Sequence, residues 1–148
     1  MKRTFFQIFI GLVCLFFWSY NAAAHCEIPC GIYDDGARIN MILEHIATIE
    51  KSMNEIGHIE KEKHHNANQL VRWVMNKEHH ANELQEIVTQ YFMTQRIKPD
   101  DKDYNGKLGI LHQMLIFAMK CKQTTDLDHV AKLRQLVKDF EALYFKKK

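Results

Sequence analysis

Cysteine and proline are scarce in this sequence, and its long apolar run is confined to the first segment. Four cysteines and two prolines among 148 residues exclude a disulfide-dense miniprotein, and six glycines without a repeat exclude a collagen-like chain. No convincing strand, hairpin turn, internal repeat or low-complexity linker is present. Neither sign of charge dominates: 20 Lys and Arg face 18 Asp and Glu, and loss of Lys2 and Arg3 makes the two equal. Such a balance implies neither a nucleic-acid partner nor a charged membrane surface. The length leaves room for one ordinary domain with one core.

What is there begins with a positive Met1-Lys2-Arg3 followed by an apolar run from Phe5 to Trp18, interrupted only by Gln7 and Gly11. Ala22 and Ala24 supply the small residues a signal peptidase requires, which places the cut between Ala24 and His25. An uncleaved anchor fits less well, because the run is shorter than the roughly 20 residues that span a bilayer. A lipoprotein site is disfavoured because His25 precedes Cys26 and Val13 precedes Cys14. The expectation is a cleaved signal peptide over 1–24 and an exported protein, periplasmic or secreted, without stable membrane association. All nine histidines survive the cut, together with Cys26, Cys30 and Cys121. An odd cysteine count in an oxidising compartment argues against a purely structural disulfide framework.

After a segment over 25–36, apolar residues recur at helical spacing. Ile39, Ile42, Leu43, Ile46, Ile49, Met53 and Ile56 predict a first helix over about 37–57, with Gly57 as its stop. Leu70, Val74, Leu84, Ile87, Val88, Tyr91 and Phe92 predict a long second helix closed before Pro99. Leu108, Leu111, Leu115 and Ala118 predict a third over about 104–122, weakened at its start by Gly106 and Gly109. Thr125-Asp126-Leu127-Asp128 resembles a capping box ahead of a fourth, with Leu127, Val130, Leu133, Val137, Phe140 and Tyr144 inward. Four single-striped helices with short connections most simply bury their stripes together, as an all-α, antiparallel four-helix bundle over 37–148. Trp73, Phe117 and Phe145 are surplus apolar groups, fitting either subunit contacts or ordinary core.

The chemistry is concentrated in His25-Cys26-Glu27-Ile28-Pro29-Cys30-Gly31-Ile32-Tyr33. If His25 is the terminus, its α-amine, the Cys26 amide nitrogen and the Cys26 thiolate form two fused five-membered chelate rings. Cys30 folds back through a turn favoured by Pro29 and Gly31 and adds a second thiolate, completing a planar N2S2 set. Such a set suits Ni(II) or Cu(II) rather than tetrahedral zinc. The His25 imidazole closes a six-membered ring with its own amine and reaches an axial position, which makes the site a candidate one-electron redox centre. Thiolates and an ionised amide stabilise the higher oxidation state that water and histidine alone do not.

H-C-x-x-P-C-G-x-Y directly after a processing site resembles the nickel hook of nickel-containing superoxide dismutases. A weaker likeness extends through Ala37-Arg38-Ile39, the Tyr91-Phe92 pair and the helical layout. The resemblance implies a four-helix bundle assembled as a homohexamer, one nickel ion per subunit, and superoxide as substrate, converted to oxygen and hydrogen peroxide. It makes His25, Cys26 and Cys30 the metal ligands, with Pro29 and Glu27 supporting the hook, Glu27 replacing the family's usual Asp. It places Tyr33 over the open face, limiting access and organising water, and makes Tyr33 and His25 the catalytic side chains. The family often supports the axial imidazole with a Glu after A-R-I, where this chain has Asn40, and with an Arg in the second helix. Arg72 lies in that helix out of register, which leaves the imidazole's support unassigned.

Other readings of the same residues are a Cys26–Cys30 disulfide loop, a structural bundle, and a nickel or copper carrier or sensor without turnover. Glu62-Lys63-His64-His65 carries one Glu-x-x-His spacing, whereas a di-iron bundle needs two. With His58, His79 and His80 it reads as a solvated helix face. His45 beside the first apolar stripe fits a core histidine or one reaching the hook, and His112 and His129 read as structural or exposed. Lys120 and Lys122 around Cys121 would lower its thiol pKa if they faced it, but nothing nearby reads as its partner and it reads as a bystander thiol.

Overall fold

The computed structural model describes Pro29, residues 31–64 and residues 66–146. The expected export signal, His25, Cys26, Glu27, Cys30 and His65 lie outside the described residues. Of the N-terminal unit, Met1–Ile32, the described residues are Pro29, Gly31 and Ile32; the helical unit runs from Tyr33 onward.

Helix α1 spans Asp35–Ile59 and is started by Asp34, whose carboxylate accepts the Ala37 N–H at 2.9 Å. Its stripe of Ile39, Ile42, Ile46, Ile49, Met53, Ile56 and Ile59 is buried. Isoleucine is about half a kcal/mol poorer than alanine in a helix, but burying it contributes roughly 1.5–3 kcal/mol, so packing decides. The same comparison explains why α1 passes through Gly57 rather than stopping there. A mid-helix glycine costs about 1 kcal/mol, and continuing buries Ile59.

Helix α2 spans Ala67–Glu86, capped by the Asn66 side chain accepting from Gln69 N–H at 3.2 Å, and runs on into a π-helical segment, Ile87–Arg96. Helical periodicity anticipated one long helix here and did not reveal the change of winding. Ile97 N–H reaches back five residues to Phe92 C=O at 3.0 Å. Thr94 Oγ1 and Gln95 Nε2 donate to the carbonyls of Thr89 and Gln90, also five residues back, at 2.8 and 2.9 Å.

Helix α3, Tyr104–Gln123, follows Asp103 in the left-handed conformation (φ 58°). Gly106 allows close approach of α4, since a Cβ there would meet Leu143 at 3.3 Å. Helix α4 spans Asp128–Tyr144. The expected capping box is replaced by a shorter arrangement: Asp126 Oδ1 accepts the Asp128 N–H at 3.0 Å, and Thr124 Oγ1 accepts the Asp126 N–H at 3.3 Å.

The helices form an antiparallel four-helix bundle in which α1 neighbours α2 and α4, and α3 neighbours α2 and α4. Cross-contacts show the alternation of direction: Asp35 meets Arg96 while Ser52 meets Asn76, and Gln85 meets Leu115 while Lys77 meets Cys121. Every regular element among the described residues is helical, and no helix there is long and apolar enough to cross a membrane. Phe92 and Phe140 lie fully buried at the core, edge to face with centroids 5.1 Å apart. Val74 and Leu127, expected inward, are instead exposed, and Val71 and Met75 join Val74 on the outer face of α2. Trp73 and Phe117 are half-buried, whereas Phe145 is exposed.

Candidate functional site

At Pro29 the chain turns, with Ile32 N–H donating to Pro29 C=O at 2.8 Å and Gly31 at φ +86°. That φ is readily adopted by glycine and disfavoured for any residue with a Cβ. The donor types in the neighbouring sequence, backbone amides, an imidazole and two thiols, suit a nickel ion. Among the described residues no three His, Cys, Asp or Glu side chains converge to hold a metal.

Tyr33 lies two residues before α1 and is partly exposed. The Arg96 guanidinium covers its ring at 4.2 Å from the centroid, and Tyr91 meets it edge-on with centroids 5.9 Å apart. Both neighbours are held by Asp35, the first residue of α1. Asp35 Oδ1 accepts from Tyr91 OH at 2.7 Å and Arg96 Nε at 2.8 Å, while Oδ2 accepts from Arg96 Nη2 and Tyr144 OH, each at 2.8 Å. Four donors from two helical elements, the π-helical segment and α4, converge on one carboxylate of a third, α1.

Burial alone would raise the Asp35 carboxyl, but hydrogen bonds from Arg96, Tyr91 and Tyr144 and the charge of Arg96 outweigh it, and its pKa is lowered. The bonds to Asp35 outweigh burial at Arg96, whose pKa is raised. Burial, then the bond to Asp35, raises the Tyr91 phenol and pushes Tyr144 up to about 12. These two hydroxyls are therefore fixed donors, already committed to the carboxylate. Tyr33 is the remaining phenol in this cluster, and its hydroxyl makes no hydrogen bond among the described residues.

Sequence reading singled out Tyr33 but not Asp35, Arg96 or Tyr144, and it used Tyr91 only within a resemblance. A usable signal was present: tyrosines on two buried stripes carry hydroxyls that need partners. Asn40 is exposed, and Arg72 lies on an exposed part of α2 beside Thr48, Lys51 and Trp73, at the opposite end of the α1–α2 pair from Tyr33.

His45 pairs with His80, Nδ1 to Nδ1 at 2.8 Å. His45 Nε2 is buried without a partner among the described residues, so the neutral pair is best satisfied when His45 carries its proton on Nδ1 and donates it to His80. His80 thus leaves the solvated histidine group, while His58, His64, His79 and His112 are exposed. His129 packs against the Phe117 ring at 5.9 Å.

Cys121 is fully buried, and burial pushes its thiol up to about 11, with Lys77 partly opposing. The flanking lysines do not lower it, because both face elsewhere. Lys120 lies 4.6 Å over the Phe117 ring, and Lys122 donates to Asn82 and Gln85.

The described residues form an all-helical bundle, and the sequence ahead of its first helix carries metal-binding residue types, the composition of a helical-bundle metalloprotein. A family model described as nickel-containing superoxide dismutase matches residues 20–148. The chain belongs to the nickel-containing superoxide dismutase family; its enzymatic class is superoxide dismutase, its cofactor nickel and its substrate superoxide. Searches of curated proteins and of solved structures give no match.

Proposed function

We propose that this protein disproportionates superoxide at a nickel ion bound by its own processed N-terminus. In this reading cleavage after Ala24 exposes His25 outside the cytoplasm, in the periplasm or the surrounding medium. The His25 amine and imidazole, the Cys26 amide nitrogen and thiolate and the Cys30 thiolate would hold one nickel per subunit. The observation that carries it is the H-C-x-x-P-C-G-x-Y segment lying wholly inside the matched residues 20–148. The turn at Pro29 and Gly31 supports it.

Nickel so bound supplies a one-electron couple that lies between the oxidation and the reduction of superoxide. One superoxide loses an electron to give oxygen; a second gains one, with two protons, to give hydrogen peroxide. The chain's own residues admit the anion, exclude competing ligands and deliver those protons. Tyr33, with its hydroxyl not committed to Asp35, limits access and orders water for the arriving anion. Tyr91 and Tyr144 do not serve as acids, because their protons are held toward Asp35. Glu27 and Pro29 shape the hook. Assembly as a homohexamer follows from the family resemblance, and the exposed Val71, Val74 and Met75 give α2 an apolar face for subunit contact.

The test is intact mass of the native protein, with metal analysis and superoxide consumption on one sample. A chain beginning at His25, carrying about one nickel and consuming superoxide, is expected. Metal without turnover would favour a carrier. Retained residues before His25, or a metal-free Cys26–Cys30 disulfide after growth with nickel, would refute the hook.

A further inference from the structure

We propose that the Asp35–Arg96 pair, aligned by the π-helical segment, is the positioning element that holds Tyr33 for the reaction. The inference rests on the reading of Tyr33 as a site residue and adds to it the groups that act through its ring. In an α-helix, residues five apart point about 140° away from each other, since each residue turns about 100°. The wider turn of a π-helix, closed by bonds from residue i to i+5, rotates each residue by less and so brings residues five apart closer to one face. Tyr91 and Arg96 are five apart within such a segment, and both bond the same Asp35 oxygen. With α-helical winding, one of the two would swing off the carboxylate.

The consequence falls on Tyr33. It precedes the first turn of α1 and has no helical hydrogen bond to hold its ring. Its ring is met by the Arg96 guanidinium across its face and by the Tyr91 ring at its edge. Arg96 is fixed by a two-point bond to Asp35, and Asp35 is fixed again from α4 by Tyr144. A guanidinium so held is a rigid plate rather than a mobile side chain. It also carries little net field, because the carboxylate beside it balances its charge. The pair therefore acts by orienting the ring, not by attracting superoxide.

The experiment uses the mature, nickel-loaded enzyme made with 3-fluorotyrosine, compared as parent, Asp35→Asn/Arg96→Met, Arg96→Lys, Tyr33→Ala, and the combination of the first pair with Tyr33→Ala. Changing Asp35 and Arg96 together leaves no charge buried without its partner. Fluorine NMR of the reduced enzyme reports Tyr33, assigned by its loss in Tyr33→Ala. In Asp35→Asn/Arg96→Met the Tyr33 resonance is expected to move toward that of unstructured tyrosine while Tyr104 stays in place. Superoxide kcat/KM is expected to fall roughly three- to tenfold, on the scale of a lost cation–π contact. No further fall is expected when the same pair is changed in Tyr33→Ala, and Arg96→Lys should lie between. Arg134→Met, which breaks a surface pair with Glu50, should move neither readout.

If the double variant fails to fold, Tyr144→Phe removes one of the bonds to Asp35 while keeping its ring against Phe140 and Phe145, and should shift Tyr33 less in the same sense. An unmoved Tyr33 resonance overturns the positioning role, as does a loss of kcat/KM that persists undiminished in Tyr33→Ala. Full activity in Tyr33→Ala would instead refute the catalytic reading of Tyr33, and the resonance would still decide whether the pair orients its ring.

Discussion

Replacing Lys77 with methionine should destabilise the bundle by about 2–3 kcal/mol, a large effect for a lysine on a polar-looking helix. The Lys77 ammonium is buried; it donates to the Cys121 carbonyl at 2.8 Å and to that of Lys122. These are carbonyls at the C-terminal end of α3, where intrahelical partners run out and the helix dipole favours a cation. Each hydrogen bond from a charged donor contributes about 1.5–3 kcal/mol. Against this stands the cost of keeping an ammonium out of water, several kcal/mol before Glu78, 3.4 Å away, offsets part of it. Methionine restores the stem's packing but leaves both carbonyls unpaired, so the net loss stays near the value of one such bond. For a domain of this size that corresponds to a melting temperature lower by roughly 10–15 °C. The assay is thermal unfolding by circular dichroism at fixed protein concentration, with Lys138→Met, an exposed lysine, as comparison. A Lys77→Met protein within about 0.5 kcal/mol of its parent, the usual range for surface changes, would refute the capping role.

Three further outcomes are expected. Burial, and then the charge of a neighbouring histidine, depresses both His45 and His80, with Glu83 opposing at both and Glu44 at His45. Their stabilising contribution is therefore present above the unfolded value of about 6.5 and is lost as pH falls through it toward the folded values. Melting temperature should decline below about pH 6.5, and His45→Gln/His80→Gln should flatten that slope; an unchanged slope would place the acid sensitivity elsewhere. Cys121, buried and with its thiol raised to about 11, should resist alkylation in the folded protein and react on unfolding, as mass spectrometry of digested samples would show. Gly31→Ala meets no atom within 4 Å, so its cost, about 1 kcal/mol for a positive φ, is conformational alone; nickel occupancy should fall with little change in the melting of the bundle.

The sequence by itself determined the four helices, most of their core stripes and the family, because each of these is written in local spacing, although Val74 and Leu127 on those stripes turn outward. Ile39 through Ile56 repeat at the pitch of one helix, and the hook's donor residues sit within six consecutive positions, so neither depends on how distant segments pack. Tertiary structure decided what depends on distant partners. Asp35 looks like a second capping acid after Asp34, yet it gathers donors 56, 61 and 109 residues away. Lys77 looks solvated and is buried, because the end of α3 comes to rest over it. His80 sits in a run of polar residues and becomes half-buried only because His45 faces it from α1. The π winding at Ile87–Arg96 is the clearest case: its residues satisfy α-helical periodicity equally well. The difference in hydrogen bonding between the two windings is small, so convergence of Tyr91 and Arg96 on Asp35 accompanies the wider turn, and such convergence exists only once α1, α2 and α4 are packed together.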